Sequence, residues 1–137
     1  TALYTVLMEG DDISDPIVDI VRGIVDGHIF LSRKVAESNH YPAIDILQSI
    51  SRVMSSIVTN DQKRVSGILK NVLATYGEAE DLINIGAYRS GSNPSIDFAI
   101  EKIDAVNDFL MQGTDEKFGF EEAVSIMSDI FEEDGES

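Results

Sequence analysis

The apolar residues of this 137-residue chain change rhythm near Asn60, and that change limits the fold more than any other feature. Up to about residue 58 they come in short runs between turn residues, whereas from Asn60 onward they recur every three or four positions. Val65, Ile68, Leu69, Val72, Leu73 and Tyr76 share one helical stripe, which continues through Leu82 and Ile83. The turn at 86–93 breaks it. Asn93 then caps a helix opened by Pro94, with Ile96, Ala99, Ile100, Ile103, Val106 and Leu110 on one face and Gly113 after its end. A last helix over about 121–131 carries Val124, Met127, Ile130 and Phe131. The second part is therefore expected to be a small helical bundle.

The first part reads differently. Residues 2–8 form a nearly continuous apolar run, the pattern of a strand buried on both faces. A polar loop follows, and Pro16 stands well as the first residue of a helix after a Ser/Asp cap, with Ile17, Ile20, Val21 and Ile24 at helical spacing. Asp26-Gly27 stops that helix, and His28-Ile29-Phe30-Leu31 reads as a second short strand. Strand, helix, strand in this order predicts the edge of a mostly parallel sheet. A short helical stretch near 33–39 leads into 41–52, read as an ordered loop. The fold class is mixed and mainly α. Thr1 opens directly into the first strand-like run with no initiator methionine, which reads as the start of a fragment.

Composition narrows the function. Twenty-five acidic residues against ten basic ones give a formal net charge of -15, which repels nucleic acid and anionic lipid at long range. No nucleic-acid partner is expected. With no cysteine, disulfides and thiolate metal sites are excluded, and no apolar run approaches the roughly 18 residues of a membrane-spanning helix. Residues 132–137 read as an acidic disordered tail.

Neither G-x-x-x-x-G-K-[ST] nor G-x-G-x-x-G occurs, so the glycine-rich cradle for a nucleotide's phosphates is absent. Yet Arg52 closes an apolar-anchored segment in a manner suited to meeting a phosphate, so the chain looks like half of a site. From residue type alone, a structural arginine paired with a carboxylate is the commoner arrangement. Tyr41, before Pro42, is biased to extended backbone and could stack its ring on a base or pack over its own loop. Phe109, with Phe98, falls off the main stripe of its helix and needs either a packed neighbour or a ligand edge. Asp11, Asp12 and Asp15 suit a hard cation, but helix capping and the helix dipole account for them better. His28 and His40 lack a third ligand for zinc, and no metal site is expected.

Three ordered blocks carry a family resemblance: Gly10-Asp11-Asp12-Ile13-Ser14-Asp15-Pro16, Asp26-Gly27-His28-Ile29-Phe30-Leu31-Ser32-Arg33, and Asn39-His40-Tyr41-Pro42-Ala43-Ile44-Asp45 through Ser51-Arg52. Together they resemble the C-terminal part of the flagellar and type III secretion export ATPases, relatives of the rotary ATP synthase subunits, over essentially the whole chain up to the tail. The resemblance implies that 1–58 are the last strands and helix of a RecA-like α/β nucleotide-binding domain, 59–131 a helical C-terminal domain and 132–137 the tail. The phosphate loop and magnesium ligand would lie upstream, so ATP and Mg2+ belong to the parent and no cofactor is expected on this chain, which alone should be inactive.

By the same resemblance Arg52 matches an arginine finger reaching a neighbour's γ-phosphate in a homohexamer, Tyr41 a ring stacked on adenine, and Phe109 an aromatic on the same pocket. The family's second aromatic position is Asp115 here, and Phe118 or Phe120 is the candidate to compensate. Asp11, Asp12 and Asp15, and Tyr88 and Arg89 in the 86–93 tip, match elements facing a coiled-coil stalk protein. Export substrates and chaperones are the further implied partners, at the cytoplasmic face of the inner membrane, peripheral to the membrane export apparatus. The Gly86-Ala87-Tyr88 and Gly91-Ser92-Asn93-Pro94 pattern leans toward the flagellar branch. Two alternatives stand beside this reading: a helical docking module for export substrates, chaperones or a stalk, and a subunit of a rotary proton-translocating ATPase.

Overall fold

The computed structural model describes residues 1–8, 10 and 14–132, so Asp11, Asp12 and the tail beyond 132 lie outside the described residues. The chain divides into two compact units, Thr1–Ser56 and Ile57–Ser137.

In the first unit, helix α1 (Pro16–Ile24) starts where capping chemistry places it. The Asp15 carboxylate accepts the Ile17 N–H at 2.8 Å and proline occupies the first turn. Strand β1 (Gly27–Leu31) follows, then the short helix α2 (Arg33–Glu37), capped by the Ser32 hydroxyl. The end of α2 is closed by Asn39 at φ 59°, with the Asn39 N–H on the Ala36 carbonyl and the His40 N–H on the Val35 carbonyl. This paired closure is a Schellman motif, which asparagine serves because it tolerates left-handed backbone. Strand β2 (Ile44–Ser51) then returns alongside β1, and the single turn α3 (Met54–Ile57) comes after it.

Strands β1 and β2 pair antiparallel across a connection that holds only the five-residue α2. Two expectations for this unit are corrected. The segment expected as a loop at 41–52 is mostly strand β2. Its alternation is interrupted because Ile29 of β1 faces four residues of β2, 46–49, between the pairs His28 with Ile50 and Phe30 with Asp45. Residues 2–8 form no strand. A strand exists by its ladder, and neither strand among the described residues offers them one, so Leu3, Tyr4 and Leu7 are exposed.

The second unit follows its periodicity. Helix α4 (Asn60–Asn84) opens on a capping box in which Thr59 and Gln62 each hold the other's backbone N–H. It ends in a second Schellman closure, with Gly86 at φ 69° and the Ala87 N–H on the Leu82 carbonyl. Helices α5 (Pro94–Leu110) and α6 (Phe120–Glu132) pack on α4 and on each other. Val65, Leu69, Val72 and Ala79 of α4, Ala99, Ile103 and Val106 of α5 and Phe131 of α6 are buried. Leu82, expected on the stripe, is half exposed at the far end of α4. Each fully buried valine contributes on the order of 1.5 kcal/mol or more by leaving water. Lys102 is buried along the same face of α5, where its methylenes extend the apolar surface and its ammonium lies 3.8 Å from Glu101.

Candidate functional site

Arg52 stands where the ladder of the first unit runs out, and a glycine lets it do so. Gly27 pairs with Ser51, and a Cβ at Gly27 would lie 2.7 Å from the Ile50 carbonyl oxygen and 3.3 Å from the Ser51 Cα. No side chain fits there. The close approach lets the Arg52 N–H reach the Asp26 carbonyl at 2.8 Å, one step beyond the last pair. The Arg52 side chain then folds over the end of α1, where Nη2 donates to the carbonyl oxygens of Arg22 and Gly23, both at 3.2 Å. Carbonyls in a helix's last turn lack intrahelical partners and carry the negative end of the helix dipole, so a guanidinium is a natural partner.

An open groove of about 310 Å³ lies here, lined by Asp19, Arg22, Gly23, Val25, Gly27, His28, Ile50 and Arg52. Neither guanidinium in it pairs with a carboxylate among the described residues, in contrast to Arg64, which grips Asp61 at 2.7 Å. Among the described residues Arg52 is held by backbone carbonyls and not by the acid that residue type suggests.

The bulge of β2 supports this strand end with side-chain hydrogen bonds in place of ladder bonds. Asp45 accepts from the Gln48 N–H at 3.0 Å and from Gln48 Nε2 at 2.9 Å, and its own carbonyl accepts from the Ser49 hydroxyl at 2.6 Å. The Ser49 oxygen in turn accepts the Phe30 N–H at 3.0 Å, and His28 Nε2 lies 2.9 Å from the Gln48 carbonyl. Sequence reasoning missed this cluster and Arg22. An aspartate followed by a polar residue at the third and fourth positions was the available signal, because such side chains bond local backbone.

Tyr41 sits between the closure of α2 and β2, before a cis Tyr41–Pro42 peptide, with its ring more than half exposed. Phe109 and Phe118 belong to the second unit. Phe109 and Phe98 are half-buried on α5. Asp115 and Phe118 are exposed between α5 and α6, in a segment organised by Glu116, whose carboxylate accepts the Gly113 N–H at 2.7 Å, and Phe120 is exposed as the first residue of α6.

The 86–93 tip is closed from within. The Tyr88 hydroxyl lies 3.0 Å from both the Asn93 carbonyl and an Asp97 carboxylate oxygen, and the other Asp97 oxygen accepts the Gly91 N–H at 2.8 Å. Arg89 is exposed on it. Asp15 spends one oxygen on capping α1, and among the described residues no three His, Cys, Asp or Glu side chains are grouped to hold a metal.

Comparison with known proteins places this geometry. The model of the C-terminal domain of EscN-type type III secretion ATPases matches residues 58–129, and that of the nucleotide-binding domain of the ATP synthase alpha/beta family matches 1–51. The chain belongs to the type III secretion ATPase family. It is 50% identical over 130 residues to a type 3 secretion system ATPase of Xanthomonas euvesicatoria, covering 95% of this chain and 29% of that one. It is 49% identical over 128 residues to a flagellum-specific ATP synthase of Treponema pallidum, covering 93% and 29%. The two branches match almost equally, so identity does not divide them. Among solved structures, the assembled ATPase EscN of enteropathogenic E. coli superposes with a TM-score of 0.92 at 44% identity, over 95% of this chain and 32% of that one. The same ATPase in complex with its central stalk EscO gives 0.79 at 42% identity, over 84% and 28%. The chain thus spans about three-tenths of the length of the family members it matches. No helix among the described residues is long and apolar enough to cross a membrane.

Proposed function

We propose that this chain is the C-terminal part of a homohexameric ATPase that couples ATP hydrolysis to export of flagellar or type III secretion proteins. In this reading residues 1–58 complete a RecA-like nucleotide-binding domain and 59–131 form its helical C-terminal domain. ATP and Mg2+ are held in the parent by residues upstream of the blocks seen here. Arg52 supplies the arginine finger to a neighbouring subunit, and Tyr41, Phe109 and Phe118 supply walls of the adenine pocket. The observation that carries it is Arg52 itself: a guanidinium brought to a strand end by Gly27, paired with no carboxylate among the described residues, and held there by two carbonyl bonds that a phosphate can replace.

The test is steady-state Mg-ATP hydrolysis by the parent, wild type beside Arg52→Ala, with nucleotide binding measured on both. A finger acts mainly on the transition state, so turnover should fall by roughly 10³-fold or more with binding largely kept. Equal turnover in the two proteins would reduce Arg52 to a structural residue.

A second reading is a docking module for a stalk protein, export substrates or chaperones, working from the cytoplasmic face of the inner membrane. The internally closed tip with Arg89 exposed favours it, and Asp11, Asp12 and Asp15 would be further stalk-facing positions. Binding of a coiled-coil stalk protein that weakens on Tyr88→Ala or Arg89→Ala and ignores Arg52→Ala would support this role. The remaining alternative, a rotary proton-translocating ATPase, predicts a ring alternating two kinds of subunit, so purification of six identical subunits would exclude it.

A further inference from the structure

The Arg52 groove contains a second cation that the proposed finger does not use. Arg22 lies on the last turn of α1 and lines the same groove. Its Nε is buried without a hydrogen-bond partner among the described residues, which is costly for a donor unless something else compensates the charge beside it. Only ten residues of this chain are Lys or Arg against twenty-five acids, and Arg64 shows the ordinary pairing, with Asp61 at 2.7 Å. Two guanidiniums nevertheless line one open groove of about 310 Å³ whose lining includes a single carboxylate, Asp19. His28, also in the lining, donates its Nε2–H to the Gln48 carbonyl and brings no carboxylate. A groove of net positive lining on a protein of charge -15 is a site for an anion, and two planar guanidiniums match the oxygens of a phosphoryl group.

We propose that Arg22 is a second anion-binding residue of this groove, taking one phosphate-type anion jointly with Arg52. The inference rests on the finger reading for what that anion is, the terminal phosphoryl group of a neighbour's nucleotide or the inorganic phosphate it becomes. It does not depend on Arg22 seating Arg52, because the seat is the backbone carbonyl at position 22, which every substitution there retains.

The experiment compares Arg22→Gln and Arg22→Lys with wild type in the full-length parent, reading kcat, KM for Mg-ATP, inhibition by inorganic phosphate and melting temperature, with Arg52→Ala alongside. If the anion is the phosphoryl group in transfer, Arg22→Gln lowers kcat by roughly 10- to 100-fold with little change in KM. If it is released phosphate, kcat is kept and phosphate inhibition weakens several-fold. In either case Arg22→Lys, which keeps the charge but not the planar fork, recovers part of the loss. Wild-type kcat and phosphate inhibition in Arg22→Gln overturn the proposal. So does equal loss in Gln and Lys variants with a matching fall in melting temperature, since that marks a packing role. Arg52→Ala separates the two readings: full turnover there sinks the finger, whereas lost turnover there with an inert Arg22→Gln sinks only the second cation.

Discussion

The two units of this chain are stabilised by different means. In the helical unit, stripes on α4, α5 and α6 bury Val65, Leu69, Val72, Ile103, Val106 and Phe131 against one another. In the first unit Val18 is the one buried residue among those described, while Ile17, Ile20, Ile24, Ile29 and Leu31 are exposed. That unit is organised by backbone and polar bonds: a two-stranded ladder, a bulge filled by Asp45 and Ser49, and an arginine laid on a helix end. The lesson is that sequence hydrophobicity is similar in the two halves while its use is not. The apolar surface of α1 and β1 suits the proposed parent, in which the rest of a RecA-like sheet would cover it.

This contrast can be broken by substitution. The largest stability effect should come from Leu69→Ala, which leaves a cavity under α5 and α6 and should cost about 2–5 kcal/mol. Urea unfolding of the whole chain should register it, while Ile20→Ala on the exposed face of α1 should change stability by under about 0.5 kcal/mol. Equal effects would mean that the first unit has a core of its own. Gly27→Ala comes next. Its methyl meets the Ile50 carbonyl at 2.7 Å, so the ladder end must open, at roughly 1–3 kcal/mol. Amide exchange at Arg52 should quicken while α4 and α5 keep their protection. Spread of the change into the helical unit would contradict the division. The smallest effect is expected for Thr59→Ala, which dismantles the capping box of α4 for about 1 kcal/mol, visible as faster exchange at Gln62 with the α4–α5 core unchanged.

Legibility in the sequence divides along the same line. Helical periodicity is a local signal, so the bundle could be read from Val65, Leu69, Ile103 and Val106, and the caps before Pro16 and at Asn93 from their side chains. Strand pairing is not local. Strand β2 was obscured because four of its residues face one on β1, which removes the two-residue alternation that a reader looks for. Asp26-Gly27 was legible as a helix stop but not as the close approach that sets Arg52 in place, since the second role depends on Ile50, 23 positions away. Arg52 was picked out by its segment and by resemblance. Arg22 was not, because a single arginine in an amphipathic helix looks like any solvated charge until the structure lays its neighbour's guanidinium on its carbonyl.

The two bonds from Arg52 to α1 also have a consequence in time. They are made by an exposed side chain, and such side chains exchange rotamers on the order of picoseconds to nanoseconds. Enzyme turnovers typically take about a millisecond or longer. Within one turnover of the proposed ATPase such a guanidinium would sample its directions about a million times, so the carbonyls of Arg22 and Gly23 would set how often it is found on the helix end without limiting the rate at which a phosphate is met.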